Sequence, residues 1–167
     1  QVAGRGGLNL THSAPLDDFV GRYGAAESFL TDAVRRFDPV ALRAWAEGLG
    51  EVTFVGTSGR VFPEALRATG LLRAWLRRLD DLGVEIRTRH QWRGWTPTGG
   101  LRFSDDSGAI VTFAAEATVL ALGGASWPRT GSDGAWVPAL TEAGVPVASL
   151  RPSNCGFVSD WSDVFAD

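Results

Sequence analysis

One stretch, residues 117–134 (ATVLALGGASWPRTGSDG), constrains this chain more than any other. Val119, Leu120, Ala121 and Leu122 make a short apolar run with the length and branching of a buried strand. The run breaks at Gly123-Gly124, where the backbone can turn sharply and no Cβ holds a ligand away from the peptide plane. In open α/β sheets, ligands lie beyond the carboxyl ends of the strands. A second glycine-rich turn over residues 130–134 leads into a helical pattern over residues 135–143, and a helix N-terminus favours an anion. An ordinary strand–loop–helix connection with turn glycines satisfies the same residues.

Composition narrows the class. The chain has 167 residues, enough for one domain with a core. Hydrophobic residues make up 44% and charged residues 21%, as in soluble globular proteins. A net charge of −3 argues against nucleic acid or an anionic membrane as a general partner. Cys155 is the only cysteine, so an internal disulfide and a thiolate metal cluster are excluded, and a buried inert thiol is the expectation there. With His12 and His90 the only histidines, no metal site is expected. No apolar run approaches ~20 residues and no secretory signal is visible, so the expected location is the cytoplasm. The chain has no Met and opens at Gln1 inside a glycine-rich loop. It reads as an internal piece of a longer protein.

Taken in order, residues 1–13 carry Gly4, Gly6 and Gly7 around Arg5, followed by Asn9, Thr11 and Ser13. Such a loop can offer N–H groups and one guanidinium to a phosphate, or it can be a flexible terminus. Residues 17–23 form a short amphipathic turn, and residues 25–37 show helical spacing of Phe29, Leu30, Ala33, Val34 and Phe37. Asp38-Pro39 restarts a helix that runs to Gly48 or Gly50. The aromatics of these two helices are expected in the core. Residues 52–55 and 60–62 flank a glycine turn as a hairpin. Residues 66–82 are the strongest helix, with Leu72, Trp75, Leu76, Leu79 and Leu82 on one face. Gly83 ends it, and residues 84–87 read as a strand, the rhythm of a crossover unit. Residues 91–113 alternate as a small antiparallel meander inserted between parallel strands, residues 118–122 follow as the central strand, and residues 145–147 as a last edge strand.

Four blocks together resemble one family. AGRGGLNLTHS, GRVFPEAL, VLALGGASWPRTGSDG and RPSNCGF occur in the order, and with much of the wording, of the BaiN/RdsA-like flavoproteins. The first block is most similar to a subgroup of NAD(P)/FAD-dependent oxidoreductases. The resemblance implies an α/β fold: a partial FAD/NAD(P)-binding, Rossmann-like domain of the two-dinucleotide-binding type, with a small antiparallel β-meander. It implies that residues 1–150 form this partial FAD-binding domain, with the insert at about 91–113, and that residues 151–167 begin a connection to a substrate domain. It implies FAD as cofactor and NAD(P)H as candidate electron donor. Arg5, Gly6, Gly7, Leu8, Asn9 and Thr11 would lie near pyrophosphate and flavin. Trp92, with Gln91 beside it, would stand near adenine. Ala121, Leu122, Gly123 and Gly124 would pass the flavin nucleotide, and Gly131, Asp133 and Gly134 would approach its flavin end. Arg60 and Phe62 would face the substrate.

The departures also matter. The family's first strand, its GxGxxG turn and the ribose-holding acid would precede Gln1. The family's loop cysteine is Leu8 here, so no thiol chemistry carries over, and its threonine before the double glycine is Leu122, which removes a hydroxyl. The implied function is an FAD-dependent oxidoreductase acting on a small molecule, with no catalytic residue identified. The alternative is a non-catalytic α/β module that binds a nucleotide or a protein, its seven tryptophans serving core and interface. His12, in the candidate flavin loop, is either a proton-handling group or a capping side chain.

Overall fold

The computed structural model of the chain describes residues 7–151. Arg5, Gly6, Cys155 and nearly all of the RPSNCGF block lie outside the described residues. The chain divides into two compact units, one ending at Ile86 and the other beginning at Arg87.

The first unit opens with strand β1 (Thr11–His12), followed by helices α1 (Leu16–Gly21), α2 (Glu27–Arg36) and α3 (Pro39–Gly48). The Asp38-Pro39 restart forms as its chemistry dictates. The Asp38 carboxylate accepts from Ala41 N at 2.7 Å, and Pro39 fills the first helical position, where no N–H is needed. Strands β2 (Thr53–Val55) and β3 (Arg60–Pro63) pair as the expected hairpin, and β1 adds to the other edge of β3 in an antiparallel sheet of order β1-β3-β2. Thr11 lies opposite Val61, and Thr53 opposite Pro63. Val61 and Pro63 point inward and are fully buried, while Arg60 is exposed, the period-2 alternation of a half-buried strand.

Helix α4 (Ala68–Asp81) starts later than residue 66, because Leu66 takes a left-handed backbone (φ 50°) and Arg67 is extended. Gly83 closes α4: its N–H reaches Asp80 O at 2.8 Å, and Val84 N reaches Leu79 O at 2.9 Å. The buried stripe differs from the expected one. Leu71 and Ala74 are buried, whereas Leu72, Trp75, Leu76 and Leu82 are exposed. The two stripes are neighbours, one residue or about 100° apart around the helix, so periodicity alone does not choose between them. Trp75 packs edge-on to Trp45 at 5.4 Å. Phe29 is 85% exposed and lies outside the core.

The second unit contains strands β4 (Gln91–Trp95), β5 (Leu101–Ser104) and β6 (Ile110–Phe113), an antiparallel meander in that order, and a short helix α5 (Val137–Glu142). The register places Trp92 opposite Phe103 and Phe103 opposite Val111, with a bulge between Trp92 and Trp95. Trp92 and Gly94 point to the buried face, and a Cβ on Gly94 would meet Ala139 Cβ of α5 at 3.5 Å, so the missing side chain lets the helix lie close to the strand.

Three expected strands do not form, two of them expected to be parallel. Residues 118–122 have no strand pairing among the described residues; Val119 is 91% exposed, and Leu120 and Ala121 are also exposed. Residues 84–87 and 145–147 likewise form no strand, and Val84, Ile86 and Val145 are exposed. The physical reason is common to all three. An apolar branched run has strand propensity, but a strand exists only where a neighbour supplies ladder partners for its peptide groups. Both sheets among the described residues are antiparallel, so the meander stands without the parallel strands expected on either side of it. The chain is α/β in content.

Candidate functional site

In the first unit the two glycine- and arginine-bearing blocks meet. Leu10 N donates to Val61 O at 2.8 Å and Ser13 N to Gly59 O at 2.8 Å, which lays residues 7–13 along β3. Gly7 sits against Phe62 and Leu66: a Cβ there would lie 3.2 Å from Phe62 Cδ1 and 3.0 Å from Leu66 Cδ2. Gly7 thus lies against Phe62 and Thr11 opposite Val61, with Arg60 and Asn9 exposed.

His12 resolves as the capping side chain. Its Nδ1 accepts from Ala14 N at 3.0 Å, and its Nε2 faces Ser58 O at 3.1 Å. An N–H donor on one side and a carbonyl on the other require the tautomer with its proton on Nε2. The ring lies on Gly59, where a Cβ would come within 2.7 Å of Cε1 and where φ is 76°. Glycine is required there on both counts.

In the second unit a cleft of about 1040 Å³ opens beside the meander. Five residues given site roles by the sequence line it: Gln91, Trp92, Leu122, Gly131 and Asp133. Trp92 comes from β4 and rests edge-on against Trp95 at 4.8 Å. Gly131 and Asp133 come from a tight loop in which Trp127 N and Ser132 O, and Ser132 N and Trp127 O, bond at 3.1 and 3.3 Å. Gly131 ends the short turn Pro128–Thr130 in the left-handed region (φ 85°), a conformation that favours glycine. Asp133 caps the next segment by accepting from Ala135 N at 2.9 Å.

The other candidates stand apart from this cleft. Ala121, Gly123 and Gly124 are exposed and do not line it. Gly134 serves packing, since a Cβ there would press on Leu150 Cδ1 at 3.0 Å and Ala125 Cβ at 3.1 Å. The anion site expected at the following helix loses its basis, because α5 is only six residues long and starts at Val137.

Sequence reading missed Trp136, Arg89 and Arg93, which also line the cleft. Trp136 falls inside the helical pattern at residues 135–143, Arg93 inside the meander at residues 91–113, and Arg89 in neither. The indole Nε1 atoms of Trp92 and Trp136 are buried with no hydrogen-bond partner among the described residues, and Trp92 as a whole is 9% exposed. A buried unpaired N–H costs about 1–3 kcal/mol, and both atoms are closed off from solvent. Arg93 Nε donates to Ser104 Oγ at 2.9 Å. Asp105, at the β5–β6 turn, accepts from Ser107 Oγ at 2.6 Å, Ser107 N at 2.8 Å and Ala109 N at 3.0 Å. The Ser107 hydroxyl, chiefly, holds its carboxyl below the ordinary value of 3.8.

The class is that of a Rossmann domain, and it rests on a family model and not on the antiparallel sheets. The chain belongs to the HI0933-like protein Rossmann domain family, whose model matches residues 1–159. This family is associated with FAD binding. No curated protein matches the sequence. No helix among the described residues is long and apolar enough to cross a membrane.

Proposed function

We propose that this chain is the cofactor-holding part of a flavin-dependent oxidoreductase that binds FAD and passes electrons from NAD(P)H to a small-molecule substrate. The observation that carries the proposal is the second-unit cleft, which Gln91, Trp92, Leu122, Gly131 and Asp133 line together. A concave space of this size, lined by both aromatic and polar side chains, suits a nucleotide. When bound, FAD supplies the hydride or electron chemistry, and the protein supplies position and electrostatics. Gly7, Leu8, Asn9 and Thr11, in the first unit, are candidates for the pyrophosphate and flavin on the family resemblance alone. Arg60 and Phe62 are the candidates for the substrate side.

The test is titration of the full chain with FAD, read by flavin fluorescence and by quenching of tryptophan emission. Residues 1–167 are expected to bind FAD more weakly than about micromolar, or about −8 kcal/mol, because their sequence has no GxGxxG phosphate loop. The binding should weaken further in Gly131→Val. Tryptophan emission indifferent to millimolar FAD would favour the non-catalytic protein-binding module instead. Affinity tighter than micromolar that Gly131→Val leaves intact would move the determinants elsewhere.

A further inference from the structure

Resting on the nucleotide reading of the second-unit cleft, we propose that Arg89 is its phosphate-selecting residue, held in reserve by Asp106 and released to a phosphorylated nucleoside. The cleft-lining charged groups divide by how they are engaged. Arg93 is tied through Nε to Ser104, Asp133 caps Ala135, and Asp105 is bound by Ser107 and Ala109. His90 Nδ1 bonds Thr88 O at 2.7 Å and its ring packs against Phe113. Arg89 differs. Its Nη1 meets Asp106 Oδ2 at 3.1 Å, but the two side chains are 78% and 57% exposed, and ion pairs so exposed contribute little.

Arg89 also has a left-handed backbone (φ 59°), uncommon for a long side chain, and lines the cleft. A guanidinium whose present partner is weak exchanges readily for a phosphate that it can grip with two parallel N–H bonds. The cleft is therefore built for a nucleotide in preference to the corresponding nucleoside.

The experiment compares adenosine and AMP on the full chain, read by tryptophan emission and calorimetry, in wild type, Arg89→Gln and Asp106→Asn. Wild type should prefer AMP, and the preference should shrink with added salt. In Arg89→Gln the ratio of AMP to adenosine affinity should fall to about one, and in Asp106→Asn it should rise about three- to tenfold, since the competing carboxylate is gone. Equal affinity for the two ligands in wild type, or a preference unchanged in Arg89→Gln, overturns the role of Arg89 and leaves the cleft reading standing. Binding of neither ligand at millimolar concentration overturns both.

Discussion

At the residue scale, the histidine of the opening loop shows how a chemically suggestive side chain is taken up by architecture. His12 accepts from Ala14 N and faces Ser58 O, so both ring nitrogens are engaged by backbone. It fastens β1 to the hairpin turn and has no free lone pair with which to abstract a proton. Asp105 is the matching case on the meander. The folded turn lowers its pKa, mainly through Ser107, so the unfolded chain binds the proton more tightly than the native one. Its contribution to stability is full above the ordinary value of 3.8 and is lost as pH falls through the lower folded value. Ser107→Ala should therefore raise the Asp105 pKa toward 3.8, a shift readable from carboxyl carbon resonances. A titration curve identical to wild type would assign the effect to the backbone donors instead.

At the element scale, the short-range signals were legible and the choice of buried face was not. Asp38-Pro39, Gly83 and the glycine turn of the hairpin each act within a few residues, and each ends or starts an element where its chemistry says. Asp38→Ala should destabilise the first unit by about 1 kcal/mol, whereas Asp38→Asn should retain most of the cap. Denaturant unfolding of the two variants checks this, and an equal loss in both would mean that the carboxylate acts by charge and not as an acceptor. Helix α4 shows the limit. Its spacing marks a helix, but Leu71 and Ala74 are buried in place of the neighbouring leucine stripe, because the packing partner decides and the partner is distant in sequence.

At the scale of the whole molecule, the meander was readable because its three strands are consecutive and pair with one another, so the pattern contains its own partners. The parallel strands were not readable in that way. Residues 84–87 and 118–122 carry the right residue types, yet a parallel ladder depends on neighbours far along a chain. The candidate cleft follows the same division. Trp92 and the Gly131 loop were visible as motifs, while Arg89 and Trp136 enter through backbone geometry that no local pattern encodes. The run at residues 118–122 has a further consequence. Val119 and Leu120 are exposed there and give a second copy an oily surface to settle on. Concentrated solutions of these residues' parent chain should self-associate, with sedimentation velocity reporting growth with concentration, and Val119→Lys should suppress it while leaving the melting temperature within about two degrees. An apolar segment left without a ladder behaves as an adhesive, and a single lysine should be enough to blunt it.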